Sequence, residues 1–278
     1  MADSIAAIAK LPIGLPAKLW LLRLASKQRG PRNKELATWG AAHPEIAVGE
    51  NWLSRAWWGA GAGEIVRWHL NSSHHRNAAL KLVDNVETTA LEEAQKTGKG
   101  VIVATAHLGP PKFLMNWMVE QRFPLLAWTA TQSRPAGADH ATYLDPRKQE
   151  LRSFALVKSA LHLRRGGVLL GAADLKTGER TLDLERLGMR RHFSAGLPAL
   201  ARETQASVVL GLALWKNNRV HIRFQDLEVP DPRIPIEDQD KLWLERYWDS
   251  MQPIIRYTPE NLRFLRWAVE EVEPSAPR

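Results

Sequence analysis

The sequence predicts an α/β protein with a mostly parallel central sheet flanked by helices. Beyond residue 97, short apolar runs alternate with stretches of helical composition, which is typical of βαβ units. Before residue 97, helix-forming residues dominate and β-rich runs are few. With 278 residues, of which 45% are apolar, the chain is long enough to bury a stable core without disulfide bonds or bound metal ions. We therefore predict a helical N-terminal region over 1–97, packed on an α/β core over 98–272, and a disordered tail over 273–278.

The elements of the core follow one another along the chain with clear boundaries. Buried strands are predicted at 101–106, 125–131, 167–174 and 207–215. Helices are predicted near 111–121, 147–165, 195–204, 236–252 and 259–272. The segment 220–229 alternates polar and apolar residues and follows Lys-Asn-Asn. We therefore expect it to form a hairpin with the strand before it.

The segment 15–29, LPAKLWLLRLASKQR, predicts an amphipathic helix with a basic flank. Its apolar residues can share one broad face: Leu15, Leu19, Trp20 and Leu22. Two interpretations stay open, because such a helix either rests in the headgroup layer of a membrane or packs on the core. A spanning helix is not expected, since the longest runs without charged residues are the 12 residues of 100–111 and of 204–215, against about 20 needed.

The charge balance and the cysteine count limit the classes of function. Lys and Arg number 38 against 30 Asp and Glu, a net charge of +8. A basic surface suits nucleic acid, anionic lipid or an acidic carrier protein, and it also serves solubility alone. No nucleic-acid-binding motif is present, so we do not expect nucleic acid as a partner. The chain has no cysteine, which excludes disulfides, thiolate metal sites and cysteine nucleophiles.

Two titratable residues stand at predicted strand ends, where open α/β sheets bind their ligands. His107 follows the strand 101–106, and a neutral imidazole is a natural general base near pH 7. Such a base needs an acceptor to hold its ring, and Lys112 offers donors only. Otherwise His107 caps the strand or bonds to a nearby carbonyl.

The second candidate, Asp174, ends the strand 167–174. Its carboxylate is suited to a hydroxyl, an arginine or a metal, and the alternative is a helix cap or a turn. The three histidines of HLNSSHHR at 69–76 lack an accompanying acidic cluster, so no metal site is expected.

Four segments between about 95 and 270 resemble, in order, the lauroyl/myristoyl acyltransferase family of late lipid A biosynthesis. The first, GKGVIVATAHLGPPKFLMNW, is similar to the family's apolar strand followed by a histidine motif. The others are LRRGGVLLGAADLKTG, then GMRRHFSAGLPALARETQASVVLGLALWKNNRVHIRFQDLEVP, and finally YTPENLRFLRW.

This resemblance implies a glycerolipid acyltransferase-like fold and transfer of a fatty acyl chain to a lipid hydroxyl. It implies no bound cofactor, because an acyl carrier protein or coenzyme A thioester is the co-substrate. It also implies an anionic membrane surface as a partner and a peripheral, cytoplasmic location on the inner face of the cell membrane. The histidine of the motif, His107 here, is then the general base.

Lys112 stands where the family's motif has its acid, and this leaves two hypotheses. In an active enzyme, Lys112 contacts a phosphate or the thioester oxygen, and a more distant acid such as Glu120 or Asp145 replaces the motif's carboxylate. The expected substrate-binding residues are Gly109, Arg134, Lys148, Arg152 and Asp174. In a catalytically silent relative, the fold serves as a lipid- or partner-binding protein.

Overall fold

The computed structural model describes residues 2–47, 49, 51–129, 135, 138–146, 148–174, 180–187 and 189–262. Its helices are Ala2–Lys10 (α1), Leu15–Arg29 (α2), Lys34–Ala42 (α3), Trp52–Asn71 (α4), Arg76–Leu80 (α5), Thr89–Lys96 (α6), Lys112–Glu120 (α7), Gln149–Arg164 (α8), Gly196–Thr204 (α9) and Ile236–Tyr257 (α10). Its strands are Val83–Glu87 (β1), Val101–Thr105 (β2), Leu125–Trp128 (β3), Thr142–Leu144 (β4), Val168–Ala172 (β5), Thr181–Arg186 (β6), Met189–Ser194 (β7), Ser207–Lys216 (β8) and Arg219–Asp226 (β9).

The central sheet has seven strands in the order β1-β9-β8-β2-β5-β3-β4. β8, β2, β5, β3 and β4 run parallel to one another, whereas β9 is antiparallel to β8 and parallel to β1. The predicted α/β architecture with a mostly parallel sheet is therefore confirmed, and so is the hairpin that β9 makes with β8. A second hairpin, β6–β7, stands outside this sheet.

The chain reverses its direction across the sheet beside β2. It leaves β2 through α7 to β3 and β4, and it returns through α8 to β5, which lies between β2 and β3. Because parallel crossovers are right-handed, α7 and α8 cover opposite faces of the sheet. The Trp128 indole N–H donates to the buried Ser159 hydroxyl at 2.9 Å, which anchors β3 to α8. Such a point of reversal is where open α/β sheets form their ligand crevice.

The apolar face of α2 packs on the core. Leu15, Leu19 and Leu22 are all buried, and α2 lies against α4. For these three leucines the core-packing interpretation of 15–29 is confirmed. Trp20 and Leu24 remain 60% and 45% exposed on the other side of the helix. Within the part of the chain that the structure describes, no helix combines the length and apolarity needed to cross a membrane.

Several elements differ from the sequence prediction. The strands β1, β4, β6 and β7 were not predicted, because β4 has three residues and the others carry mixed polar residues. α10 continues through Pro253 to Tyr257, five residues beyond the predicted end. Of the helix predicted at 259–272, the described residues 259–262 contain the 3₁₀ turn Pro259–Asn261. Residues 263–278, with the rest of that helix and the predicted tail, lie outside the described residues.

Candidate active site

The register of β2 against β5 brings His107 and Asp174 together. Thr105 pairs with Ala172 in the last rung of this parallel ladder. His107 and Asp174 each lie two residues beyond that rung, at the carboxyl ends of adjacent strands. Neighbouring strands are separated by about 4.8 Å, so two side chains in matched positions can reach each other.

Asp174 receives two hydrogen bonds from His107. The ring Nδ1 lies 2.9 Å from Oδ1, and the backbone N–H donates to Oδ2 at 2.7 Å. A carboxylate can only accept, so Nδ1 carries the proton and the lone pair resides on Nε2. Asp174 is 2% exposed, whereas the His107 side chain is 26% exposed. The arrangement is that of a general base with a buried orienting acid.

Neighbouring groups stabilise the ionised form of Asp174 by more than its burial destabilises it. Burial raises the pKa of this carboxyl, but His107, through its charge and its two hydrogen bonds, and then Arg191 outweigh that effect. The net result is a pKa below the ordinary value, so Asp174 is ionised at neutral pH. Arg191 is itself buried on β7 and lies over the ring of Trp248, with its guanidinium carbon 5.2 Å from the ring centroid.

Tyr247 of α10 contacts the carboxyl end of β2. It is fully buried, and its hydroxyl donates to the Thr105 carbonyl at 2.6 Å. Burial and then the charge of Asp174 raise the pKa of Tyr247 well above its usual value, so the phenol stays neutral. Tyr247 and Arg191 were not predicted as site residues, because one is part of an ordinary apolar helix face and the other belongs to a hairpin rich in arginine.

Gly109 has a structural role in the loop that follows His107. Its φ is +56°, and a Cβ there would lie 2.2 Å from the Ala213 carbonyl oxygen. Its backbone N–H donates to the Asn261 carbonyl at 2.7 Å. The buried Asn261 side chain in turn bonds to both the N–H and the carbonyl of Trp215. The loop is thereby tied to the end of β8, and only glycine suits this close approach.

Lys112 opens α7 and contacts α4. Its Nζ donates to Asn71 Oδ1 at 2.8 Å, at the last residue of α4. The acid that orients His107 is therefore Asp174, which we had predicted to bind substrate. Glu120, considered as a replacement acid, instead pairs with the buried Arg76 at 2.7 Å. Asp145 follows β4, the third strand from β2 in the sheet.

Two of the predicted substrate-binding cations, Lys148 and Arg152, lie at the start of α8. Lys148 is exposed and precedes α8, and Arg152 in its first turn donates to the Pro146 carbonyl at 3.4 Å. Both follow β4, whose axis is about 14 Å from that of β2 at normal strand spacing. Arg134 lies outside the described residues.

Comparison with models of known protein families and with curated proteins gave no match to this chain. A histidine with a fixed tautomer, at the carboxyl edge of a parallel sheet, can accept a proton from a hydroxyl or a water molecule.

Proposed function

We propose that this protein is an acyltransferase of the glycerolipid type, with His107 as its general base. The observation that carries the proposal is the 2.9 Å contact between His107 Nδ1 and Asp174 Oδ1. Asp174 thereby provides the carboxylate for His107 that is missing at position 112, where lysine stands. The resemblance of the segments around both residues to the lipid A acyltransferases gives the class of substrate.

In the proposed reaction, the acceptor hydroxyl attacks the carbonyl carbon of a fatty acyl thioester. His107 Nε2 takes the hydroxyl proton as the new C–O bond forms, and Asp174 stabilises the resulting imidazolium. The tetrahedral intermediate then expels the thiolate, which takes the proton from His107 and leaves as a thiol. The thioester belongs to coenzyme A or to an acyl carrier protein, and the acceptor is a lipid hydroxyl.

The proposed location is the cytoplasmic face of the cell membrane, with the protein bound at the surface. Exposed apolar side chains on the N-terminal helices support this, above all Trp20 and Leu24 on α2. Arg23 and Lys27 lie exposed on the same helix and suit an anionic lipid surface.

The direct test is release of thiol from acyl-coenzyme A and from acyl carrier protein, in the presence of lipid acceptors. Because the chain has no cysteine, a thiol reagent reports only the released co-substrate. His107→Ala is expected to lower the rate by about 10²–10⁴-fold. The matched control is His192→Ala, since His192 also pairs with a carboxylate, Asp183, but on the β6–β7 hairpin, where the two side chains are 34% and 37% exposed. An unchanged rate in His107→Ala contradicts the proposed mechanism.

The second candidate is a catalytically silent protein that binds a lipid or a partner. It is favoured by the lysine at position 112, where the motif of the lipid A acyltransferases has its acid. Binding of acyl thioester without turnover, by native protein and by His107→Ala alike, is the result that this candidate predicts.

A further inference from the structure

A cavity of about 920 Å³ lies between α1, the α1–α2 turn, the start of α2 and the second half of α4. None of its lining residues belongs to the loop that holds His107 or to the segment that holds Asp174. Its volume falls in the range of about 300–1,000 Å³ that is usual for small-molecule sites. Most of its wall is apolar and comes from residues such as Ile5, Ala9, Leu15 and Trp68.

Lys18 is a buried cation in the wall of this cavity. It is 5% exposed, its Nζ donates to the Ala9 carbonyl at 2.7 Å, and Nζ lies 5.3 Å from the Trp68 ring centroid. Among the residues that the structure describes, no carboxylate pairs with it. An ammonium group carries three donors and is costly to bury without an opposite charge. The cavity therefore presents a positive group that an anion would neutralise.

The other charged groups around the cavity add to this positive character. Among the described lining residues are Lys10, Arg67, His69 and His75, and one acid, Glu64. Glu64 pairs with Arg67 at 2.6 Å. Burial lowers the pKa of His69, the bond to the Ile65 carbonyl opposes this, and the charges of Lys18 and His75 lower it further. The acid among the described lining residues is thus already paired with a cation of the wall.

Some of the apolar side chains that line the cavity are also exposed to solvent. Leu11 and Ile13 are each 38% exposed and Trp68 is 49% exposed, and all three line the cavity. Large exposed apolar side chains at a cavity are suited to contact the alkyl chain of a ligand. A ligand complementary to both features has an apolar chain and one anionic end.

We propose that this cavity binds a single-chain fatty acid anion, with its carboxylate at Lys18 and its chain along the apolar wall. One buried ammonium matches the single charge of a carboxylate, whereas a phosphate monoester carries close to two charges at pH 7. The site is independent of acyl transfer at His107, and its occupant is a free acid rather than a thioester.

Calorimetric titration with dodecanoate below its micelle concentration tests the proposal. Native protein is expected to bind about one dodecanoate per chain. Lys18→Met keeps most of the side chain's length but loses the charge, and it is expected to bind roughly 10–100-fold more weakly. Lys34→Met, which removes an exposed charge at the start of α3, is the control and is expected to bind as native protein does.

Two further measurements separate the carboxylate from the chain. Dodecanol is expected to bind native protein and Lys18→Met equally, and inorganic phosphate is expected not to bind in a Lys18-dependent way. Ala9→Phe keeps the carbonyl that accepts from Lys18 and fills the cavity, so it is expected to weaken dodecanoate binding without lowering the melting temperature.

Equal dodecanoate affinity of native protein and Lys18→Met overturns the proposal and leaves Lys18 with only its bond to α1. Phosphate binding that depends on Lys18 also overturns it, in favour of a small-anion site. Because no thioester is present in these titrations, their failure is distinct from a failure of the acyltransferase proposal.

Discussion

Asp174 holds His107 at two points, the ring Nδ1 at 2.9 Å and the backbone N–H at 2.7 Å. The backbone contact fixes the carboxylate to the chain just beyond β2, so the ring contact has a defined direction. A catalytic base works well only when its ring is held in the productive geometry. The two bonds together make Asp174 a positioning residue for His107.

Asp174→Asn is expected to lower acyl transfer by about 10²–10⁴-fold with little change in the fold. The amide has nearly the same shape, and its oxygen can still accept from the His107 backbone N–H. Its NH₂ group then faces Nδ1 and favours the wrong tautomer, with the proton on Nε2. The measurement is thiol release at saturating thioester, with circular dichroism as the check on folding.

The control for this variant is Asp183→Asn, which changes a His–Asp pair on the β6–β7 hairpin. It is expected to keep the native rate. A native rate in Asp174→Asn itself means that His107 needs no orienting acid and contradicts the role given to Asp174.

The contribution of Asp174 to stability is expected to depend on pH. Its folded-state pKa lies below the ordinary 3.8, so its ionised form stabilises the fold above that pH. This contribution is complete near neutral pH and is lost as the pH falls below about 4 and through the lower folded-state pKa. Urea unfolding of native protein and Asp174→Asn should therefore show a stability difference that narrows below pH 4. A difference that grows there contradicts the lowered pKa.

The sequence could predict the strand ends but not the contact between them. Both His107 and Asp174 follow buried apolar runs, and this pattern placed them at the carboxyl edge of the sheet. Which two of the parallel strands are neighbours depends on long-range packing, and 67 residues separate the pair. Proximity along the chain therefore points to Glu120 and Asp145 as replacement acids and does not indicate Asp174 as the partner of His107. A local spacing motif carries no information on strand order.

Gly109→Ala is expected to destabilise the protein by more than Gly98→Ala. Both glycines have positive φ, +56° and +70°, so both variants carry the same kind of backbone strain. A Cβ at 98 meets nothing within 4 Å, whereas one at 109 lies 2.2 Å from the Ala213 carbonyl. We expect about 1 kcal/mol for Gly98→Ala and about 2–4 kcal/mol for Gly109→Ala. Urea denaturation measures both, and equal losses contradict the close contact.

Lys112→Asp is expected not to raise acyl transfer, although it introduces an acid where the motif of the lipid A acyltransferases has one. The orienting acid is already supplied by Asp174, and the change removes the bond from Lys112 to Asn71. Loss of that exposed contact should cost no more than about 1 kcal/mol in unfolding. Thiol release by native protein and the variant, side by side, is the measurement. Activity that arises only in Lys112→Asp supports the silent relative instead.

Binding to anionic vesicles is expected to depend on the exposed face of α2. Trp20 and Leu24 lie four residues apart on this helix, and Arg23 and Lys27 are spaced in the same way. The double variant Trp20→Ser and Leu24→Ser should weaken flotation with vesicles roughly tenfold or more, because two large apolar groups no longer enter the headgroup layer. Added salt should weaken the native interaction as well, by screening the basic side chains.

Phe154→Ser is the matched control for this vesicle experiment. Phe154 is 55% exposed, close to the 60% of Trp20, but it lies on α8. If apolar exposure alone caused vesicle binding, the two helices would contribute alike. A selective loss in the α2 variant identifies that helix as the contact, and an equal loss in Phe154→Ser contradicts it. Leu22→Ser is unsuitable as a control, because Leu22 is fully buried and its replacement disrupts the packing of α2 on α4.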